Sequence, residues 1–397
     1  MEGRRRRRVV ESHRIASAAL RLAAVFAGVA IGWSAWVVIA GGSWWGPVHA
    51  ALAGTVLLAI SGTAQMFTVT WAAAPSPSHW LAVTQRWSVV VGVAAVLVGV
   101  EVGIEWLAGT GAAAILLGLV LLAISLVGAV RRSLLRRFDL SSRFYLLGIA
   151  CGGLGVALGG LIATGLVSSG EVVAVHAHLN IVGLIGFTIT GTLPTFLPTL
   201  ARHRAVSGAE ALAALVLAGL SALAIAAGLL WGPTSIATGV ALAGLSMALV
   251  LAGALWRLGR QGAGTGGLAY AHVATGCVWL VVWSVVDAAG LALDGAGPVL
   301  SEWTGAAVVA GIGQVLAGSI AYLVPVLAGP PPRLGRNLAR MARHPWLPLA
   351  AGNLAGVALV FGAGAAAVGS GLVWAADIGR RLAGLEWSGP ADQEAAS

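Results

Sequence analysis

Long apolar runs separated by short polar segments follow one another along almost the whole chain. A helix needs roughly 20 apolar residues to cross the hydrocarbon core of a bilayer. Runs near this length, numbered 1 to 11 in order, lie at residues 22–40, 46–71, 88–108, 110–130, 144–167, 172–199, 209–230, 233–257, 267–292, 303–328 and 346–376. They predict an all-α, polytopic transmembrane helix bundle of about 11 helices, or 12 if the glycine-broken last run forms two. Residues 1–21 are then a basic cytoplasmic tail, 22–378 the transmembrane helical domain and 379–397 a polar C-terminal tail.

Composition and charge support the same interpretation. Hydrophobic residues make up 58% of the chain and charged residues only 9%, whereas soluble domains contain roughly 25% charged residues. The predicted partner is therefore the lipid bilayer. The net charge of +9 could indicate a nucleic-acid partner. The arginines lie between the apolar runs, however, where they reflect membrane topology, and no nucleic-acid partner is expected.

The arginines also predict the orientation of the chain, because cytoplasmic loops are enriched in basic residues. They occur before run 1 and after each even-numbered run from run 4 to run 10. The clusters are Arg4–Arg8, Arg131–Arg143, Arg202–Arg204, Arg257–Arg260 and Arg333–Arg343. We therefore expect a plasma-membrane protein with a cytoplasmic N-terminus, whose even-numbered runs cross from outside to inside. Arg380 and Arg381, after run 11, do not fit this alternation.

Runs 2 and 6 resemble each other without gaps, at a shift of 129 positions. The matches include His49 with His178, Gly54 with Gly183, Gly62–Thr63 with Gly191–Thr192, and Phe67 with Phe196. Run 10 resembles run 6 more weakly at a shift of 127, with Gly305 in place of the histidine. Equivalent runs at positions 2, 6 and 10 predict a pseudo-threefold repeat of four-helix units.

Histidines inside the apolar runs are the main functional signal, since ionisable residues within a membrane are costly and usually functional. His49, His176 and His178 lie near the outer ends of runs 2 and 6, at similar depth. Imidazole suits haem iron and copper, so all three are candidate haem or metal ligands, with Asn180 and Gln65 as hydrogen-bonding partners that orient the rings. Residues two apart on a helix point about 200° apart, so we expect His178 to share a centre with His49 and His176 to face another. The alternative is that the three histidines only bond backbone groups or water.

Other polar residues are weaker candidates. Glu101 and Glu105 are four residues apart and would share one face of run 3, where they could form a proton path or lie at the membrane interface. His272 lies near the inner end of run 9, away from the outer histidines, and Tyr322 lies in run 10. Both are interpreted first as structural residues. No catalytic residue can be assigned.

Several segments together resemble a known family. They are Pro47–His49, Gln65–Trp71, His176–Gly183, Gly191–Pro198 and Gly313–Pro325. They resemble subunit I of the haem–copper oxidases and, within that group, the NnrS-like multi-pass membrane proteins of the actinobacterial branch. The resemblance implies helices arranged in three arcs of four. It also implies haem and copper as cofactors, metal-binding histidines near the outer face, and a role in nitric oxide or nitrosative-stress physiology.

The resemblance does not extend to a complete oxidase. Run 7 has no histidine pair and run 10 has no histidine, so proton-pumping oxygen reduction is not expected and enzymatic activity stays open. Three hypotheses follow from the sequence. The first is a haem- or copper-binding protein of electron transfer or nitric oxide physiology, with a redox partner or a copper protein. The second is a transporter of a solute or metal ion, and the third is a non-catalytic membrane partner of a redox complex.

Overall fold

The computed structural model describes residues 2–133, 139–203, 208–260, 267–295, 302–329 and 331–387. Within these ranges the chain forms thirteen helices and no strand. In order they are α1 (Glu2–Ala40), α2 (Trp45–Trp71), α3 (His79–Val102), α4 (Glu105–Arg131), α5 (Asp139–Ala163), α6 (Gly170–Leu200), α7 (Ala209–Trp231), α8 (Pro233–Arg260), α9 (Leu268–Asp294), α10 (Glu302–Ala328), α11 (Pro331–Ala342), α12 (Trp346–Val360) and α13 (Gly364–Ala383). The side chains of Arg4–Arg8, residues 134–138 and 204–207, and the tail from residue 388 lie outside the described residues.

Ten of the described helices, α1 to α10, are long and apolar enough to cross a membrane. The predicted polytopic helical bundle is therefore confirmed. Helix α1 runs without a break from Glu2 to Ala40, so no change of secondary structure marks the predicted boundary at residue 21. Ala16 and Ala19 are buried, and a Cβ added at Gly62 of α2 would lie 2.6 Å from the Cβ of Ala19 and 3.3 Å from the Cα of Ala16. Small residues on both helices allow this close packing.

The chain divides into two compact units. Unit 1 consists of Met1–Gly191, Ala211–Met247 and Asp287–Val299. Unit 2 consists of Thr192–Glu210, Ala248–Val286 and Leu300–Ser397. The candidate histidines of α2 and α6 belong to unit 1, whereas the C-terminal helices belong to unit 2.

Helices α3 and α4 of unit 1 pack through glycines after a tight turn. Gly103 ends α3 in the left-handed conformation, with φ of 74°. Farther along the pair, a Cβ added at Gly92 would lie 2.7 Å from the carbonyl oxygen of Gly111, and one added at Gly111 would lie 2.7 Å from that of Gly92. Backbones can approach this closely only without side chains, which is how helices gain packing energy inside lipid.

Helices α2, α6 and α10 each contain a π-helical segment at an equivalent place. The segments are Ala50–Val56, Leu179–Gly186 and Ala307–Gly313. The first two begin 129 positions apart, which is the shift of the sequence repeat, and the third begins 128 positions after the second. Because π-helical turns are rare and concentrate at functional sites, their recurrence supports the equivalence of these three helices.

The last predicted run forms a helical hairpin. Helix α12 has 15 residues and is about 22 Å long, shorter than the roughly 30 Å of a hydrocarbon core. The chain turns at Gly362, whose φ is 67°. Arg381, near the end of α13, then donates hydrogen bonds to the carbonyl oxygens of Arg343 and His344, just before α12. The start of α12 and the end of α13 therefore lie together at the open end of the hairpin. Arg380 and Arg381 lie at this end, so they agree with the predicted placement of arginines after even-numbered runs.

Candidate functional site

His49 and His178 occupy equivalent positions, immediately before the π segments of α2 and α6. The Nδ1 atom of His49 lies 2.8 Å from the main-chain oxygen of Trp45. The Nδ1 atom of His178 lies 2.7 Å from that of Ala174. In both cases the acceptor is the carbonyl four residues earlier. Because a carbonyl oxygen can only accept, Nδ1 carries a proton in both rings, and Nε2 is left for other contacts.

The ring beside His49 is that of His176. The two ring centres are 6.3 Å apart and the ring planes are inclined by 14°. The indole of Trp45 also stacks on His49, with 4.2 Å between ring centres. The pairing of His49 with His178 predicted from the repeat is therefore wrong. The helical spacing shows only that His176 and His178 point in different directions, and it does not decide which of them faces α2.

Helix α5 holds the His176 ring. Nδ1 of His176 lies 2.7 Å from the carbonyl oxygen of Gly155. A Cβ added at Gly159 would lie 2.5 Å from the ring carbon Cε1, so the ring fits only against a glycine. Asn180 donates through Nδ2 to the main-chain oxygen of His176 at 2.8 Å, and Nδ2 is 3.5 Å from the ring Nδ1. Asn180 thus neighbours the ring, but Gly155 makes the shorter contact with it.

His49 and His176 share one hydrogen-bonding state. Each donates from Nδ1 to a carbonyl oxygen, so each neutral ring has its lone pair on Nε2. A histidine whose other nitrogen is fixed in this way is the usual form of a metal ligand. Among the described residues, no group of three His, Cys, Asp or Glu side chains is placed to hold a metal ion. The pair therefore offers two protein ligands.

His178 instead pairs with Asp287 of α9. Its Nε2 lies 2.8 Å from Oδ2 of Asp287, and the exposed fractions of the two side chains are 6% and 18%. Since Nδ1 donates to Ala174, one proton lies between Nε2 and Oδ2. The pair is either an imidazolium with a carboxylate or a neutral imidazole with a carboxylic acid. Both ring nitrogens of His178 are engaged, so a metal could bind there only by displacing Asp287.

Gln65 does not lie near the histidines. It is 16 positions after His49 in α2, which corresponds to about 24 Å along a helix. Its Nε2 donates to the main-chain oxygen of Ser61 and to Oε1 of Gln85. The expectation that Gln65 orients a histidine ring is wrong, because the spacing along the helix carries it toward the opposite membrane surface.

Glu101 and Glu105 do not share a helical face. Helix α3 ends at Val102, and Glu105 begins α4. Both carboxylates are exposed at this turn, and Glu105 lies in the first helical turn, where the helix dipole favours a negative charge. The predicted shared face is wrong because the glycine turn at Gly103 divides the segment that was interpreted as one helix.

His272 and Tyr322 lie in unit 2. His272 is fully buried, its Nδ1 is 3.2 Å from the Leu268 carbonyl oxygen, and its Nε2 accepts a hydrogen bond from Trp374. Both ring nitrogens are thus occupied by structural bonds. The Tyr322 ring packs edge-on against Phe196, with 5.8 Å between ring centres.

The sequence interpretation missed the partners of the histidines. Asp287 is the one carboxylate within run 9. A carboxylate inside a predicted span needs a partner, so Asp287 was the signal from which such a contact could have been predicted. Gly155 and Gly159 gave no comparable signal, because they lie among many glycines of an apolar run. Their roles follow from the contact between α5 and α6.

Comparison with known proteins does not extend this assignment. No protein-family model matches the sequence, and no curated protein is significantly similar to it.

Proposed function

We propose that this multi-pass membrane protein binds haem, or alternatively copper, through His49 and His176, and that it acts in electron transfer. The observation that carries the proposal is the pair of nearly parallel imidazoles 6.3 Å apart. Imidazole nitrogens bind a metal at about 2 Å, so two rings with centres 6.3 Å apart are near enough to hold one ion together. The resemblance to haem–copper oxidases and NnrS-like proteins points in the same direction.

The number of protein ligands favours haem over a bare copper ion. Copper sites in proteins usually have three or more ligands, whereas a haem brings four nitrogens of its own and needs fewer ligands from the protein. His49 and His176 would hold the haem, which would supply one-electron transfer when bound. A site with two imidazole ligands favours electron transfer to a redox partner or copper protein over turnover of a gas.

The protein's own groups would prepare the two ligands. The carbonyl oxygens of Trp45 and Gly155 fix the ring tautomers and leave both Nε2 lone pairs for the metal. Gly159 leaves space for the His176 ring. The Trp45 indole restricts the motion of the His49 ring by stacking on it.

A visible absorption spectrum of the purified protein, with a pyridine haemochrome assay and a copper determination, tests the proposal. We expect a Soret band that is lost in His49→Ala and in His176→Ala. The matched control is His79→Ala, since His79 is exposed at the start of α3 and its loss should leave the spectrum unchanged. A wild-type protein with neither haem nor copper would overturn the proposal. Loss of the band in His178→Ala but not in His176→Ala would show that His178 is the ligand and that the assignment of His176 is wrong.

The His178–Asp287 pair favours a second candidate function. A buried pair that holds one proton within a membrane span is typical of proton-coupled pathways. In this alternative the protein is a transporter of a solute or metal ion. Proton uptake by proteoliposomes containing the wild type or Asp287→Asn would separate the two functions, because an electron-transfer haem protein needs no proton flux.

We also propose that the N-terminus faces the cytoplasm of a plasma-membrane protein. The proposal is supported by Arg131, Arg202 and Arg257, which follow even-numbered spans, and by the hairpin that returns Arg381 to the end of α11. It places the C-terminus on the cytoplasmic side as well. A C-terminal fusion to alkaline phosphatase, which is active only outside the cytoplasm, should then be inactive, and activity would contradict this topology.

A further inference from the structure

A basic cleft lies in unit 2, at the open end of the α12–α13 hairpin. Its volume is about 430 Å³, and it is lined by Arg340, Arg343, His344, Arg380, Arg381 and Gly384. These residues come from the end of α11, the turn before α12 and the end of α13. The cleft therefore brings together cationic groups from three chain segments. Arginines that served only to orient a cytoplasmic loop could all lie on one segment.

Arg381 builds the wall of the cleft and is not available to a ligand. It is buried, and its Nε donates to Oδ2 of Asp377. Its Nη atoms donate to the carbonyl oxygens of Met341, Arg343 and His344. These bonds hold the end of α13 against the end of α11. The geometry of the cleft thus depends on Arg381, and its binding capacity depends on the other arginines.

Among the described residues, cations exceed carboxylates around the cleft. Arg340, Arg343 and Arg380 are exposed, and of these only Arg380 donates to Asp377, through Nη2 at 2.7 Å. In this part of the chain the four lining arginines have one ion-paired carboxylate, that of Asp377. Glu386 also interacts with the charge of Arg340, but its ion pair is with Arg336, so positive charge remains in excess.

The neighbouring arginine of α11 is already neutralised. Arg336 makes a two-pronged ion pair with Glu386, whose pKa this contact holds below its ordinary value. Arg336 is not part of the cleft lining. The uncompensated charge is therefore concentrated in the cleft.

We propose that this cleft binds the phosphate group of an anionic phospholipid. Guanidinium groups bind phosphate oxygens in two-pronged fashion, and basic pockets at the cytoplasmic ends of spans bind such headgroups. A lipid fits better than a free phosphate because α12, which starts beside the cleft, exposes apolar side chains along its length. Trp346, Leu347 and Leu354 are exposed and would contact the acyl chains.

Native mass spectrometry of the full-length, delipidated protein tests the proposal, with phosphatidylglycerol, phosphatidylcholine and inorganic phosphate as separate probes. We expect one phosphatidylglycerol to bind with saturation and in preference to phosphatidylcholine. The double variant Arg340→Gln/Arg343→Gln should lower its affinity about 30-fold, since each arginine near an anionic lipid strengthens binding about fivefold. The matched control is Arg131→Gln/Arg132→Gln, which removes two exposed arginines at the end of α4 and should leave the bound lipid in place.

Three outcomes would overturn the proposal. An equal loss in both double variants would mean general surface electrostatics, and inorganic phosphate binding as tightly as the lipid would mean a free anion. Binding that persists in Arg340→Gln/Arg343→Gln would place the lipid elsewhere. Arg380→Gln provides a second variant that leaves α11 unchanged, and gel filtration of each variant checks that it is folded.

Discussion

His49 and His178 show how one local structure is put to two uses. Both histidines precede a π segment, and both donate from Nδ1 to the carbonyl four residues earlier. They differ in the side chain that neighbouring helices supply. His178 meets the carboxylate of Asp287, whereas His49 lies beside another imidazole, that of His176. The repeat therefore fixes the orientation of the ring, and the surrounding helices determine the chemistry at Nε2.

The largest expected effect comes from removing the carboxylate of the His178–Asp287 pair. Asp287→Ala removes the carboxylate that contacts the buried Nε2 of His178, and breaking such a pair costs about 3 kcal/mol. Asp287→Asn should cost about 1 kcal/mol, because the amide can donate to the neutral ring. Unfolding of the detergent-solubilised protein by a denaturing detergent measures both changes.

Asp294→Ala is the control for this prediction. Asp294 is exposed at the end of the same helix, and its replacement should change the free energy of unfolding by no more than about 0.5 kcal/mol. If Asp287→Ala were as mild as this control, the His178–Asp287 contact would contribute nothing to the fold.

The next effect concerns the space beside His176. In Gly159→Ala the new methyl group would collide with Cε1 of the His176 ring, and overpacking of this kind costs about 1–3 kcal/mol. The displaced ring would also weaken any haem bound between His49 and His176. Thermal unfolding and the visible spectrum, measured on the same preparation, report the two consequences.

Gly153→Ala tests whether the ring causes that effect. Gly153 lies in the same helix, and a Cβ added there meets no atom within 4 Å. Alanine should therefore be neutral or stabilise the helix by up to about 1 kcal/mol. Similar losses in both variants would show that α5 tolerates no added methyl group, independently of His176.

A smaller effect is expected at Asn180. Its Nδ2 donates to the main-chain oxygen of His176, and Asn180→Ala removes this one hydrogen bond at a cost of about 1 kcal/mol. The His176 ring keeps its bond to Gly155, so the spectrum of a haem-loaded protein should change little. A complete loss of the Soret band in Asn180→Ala would show that Asn180, and not Gly155, orients the ring.

The sequence predicted the spans better than the contacts between them. The sequence predicts eleven apolar runs, and the first ten correspond to helices long and apolar enough to cross a membrane. The match of His49 with His178 identifies the register of α2 and α6. Neither the run lengths nor the repeat shows which side of one helix packs against another. The contact of His176 with α5, and that of His178 with α9, were therefore not predictable from periodicity. The sequence places the turn between runs 3 and 4 near residue 109, whereas it lies at Gly103, because a short turn between two apolar helices hardly changes the hydropathy.

The smallest effect on the histidine pair is expected from Gln65, the other residue predicted to orient a ring. In the part of the chain that the structure describes, its Oε1 is buried without a hydrogen-bond partner, while Nε2 bonds Gln85. Replacing both glutamines, in Gln65→Met/Gln85→Met, removes their mutual hydrogen bond from both sides, and the Ser61 hydroxyl loses the one donor that Gln85 supplies at 3.1 Å. Stability should change by less than about 1 kcal/mol, and the spectrum should not change, because the site lies about four helical turns away. A spectral shift as large as that of Gly159→Ala would mean that the two ends of α2 are coupled, and that the histidine pair depends on more than its immediate neighbours.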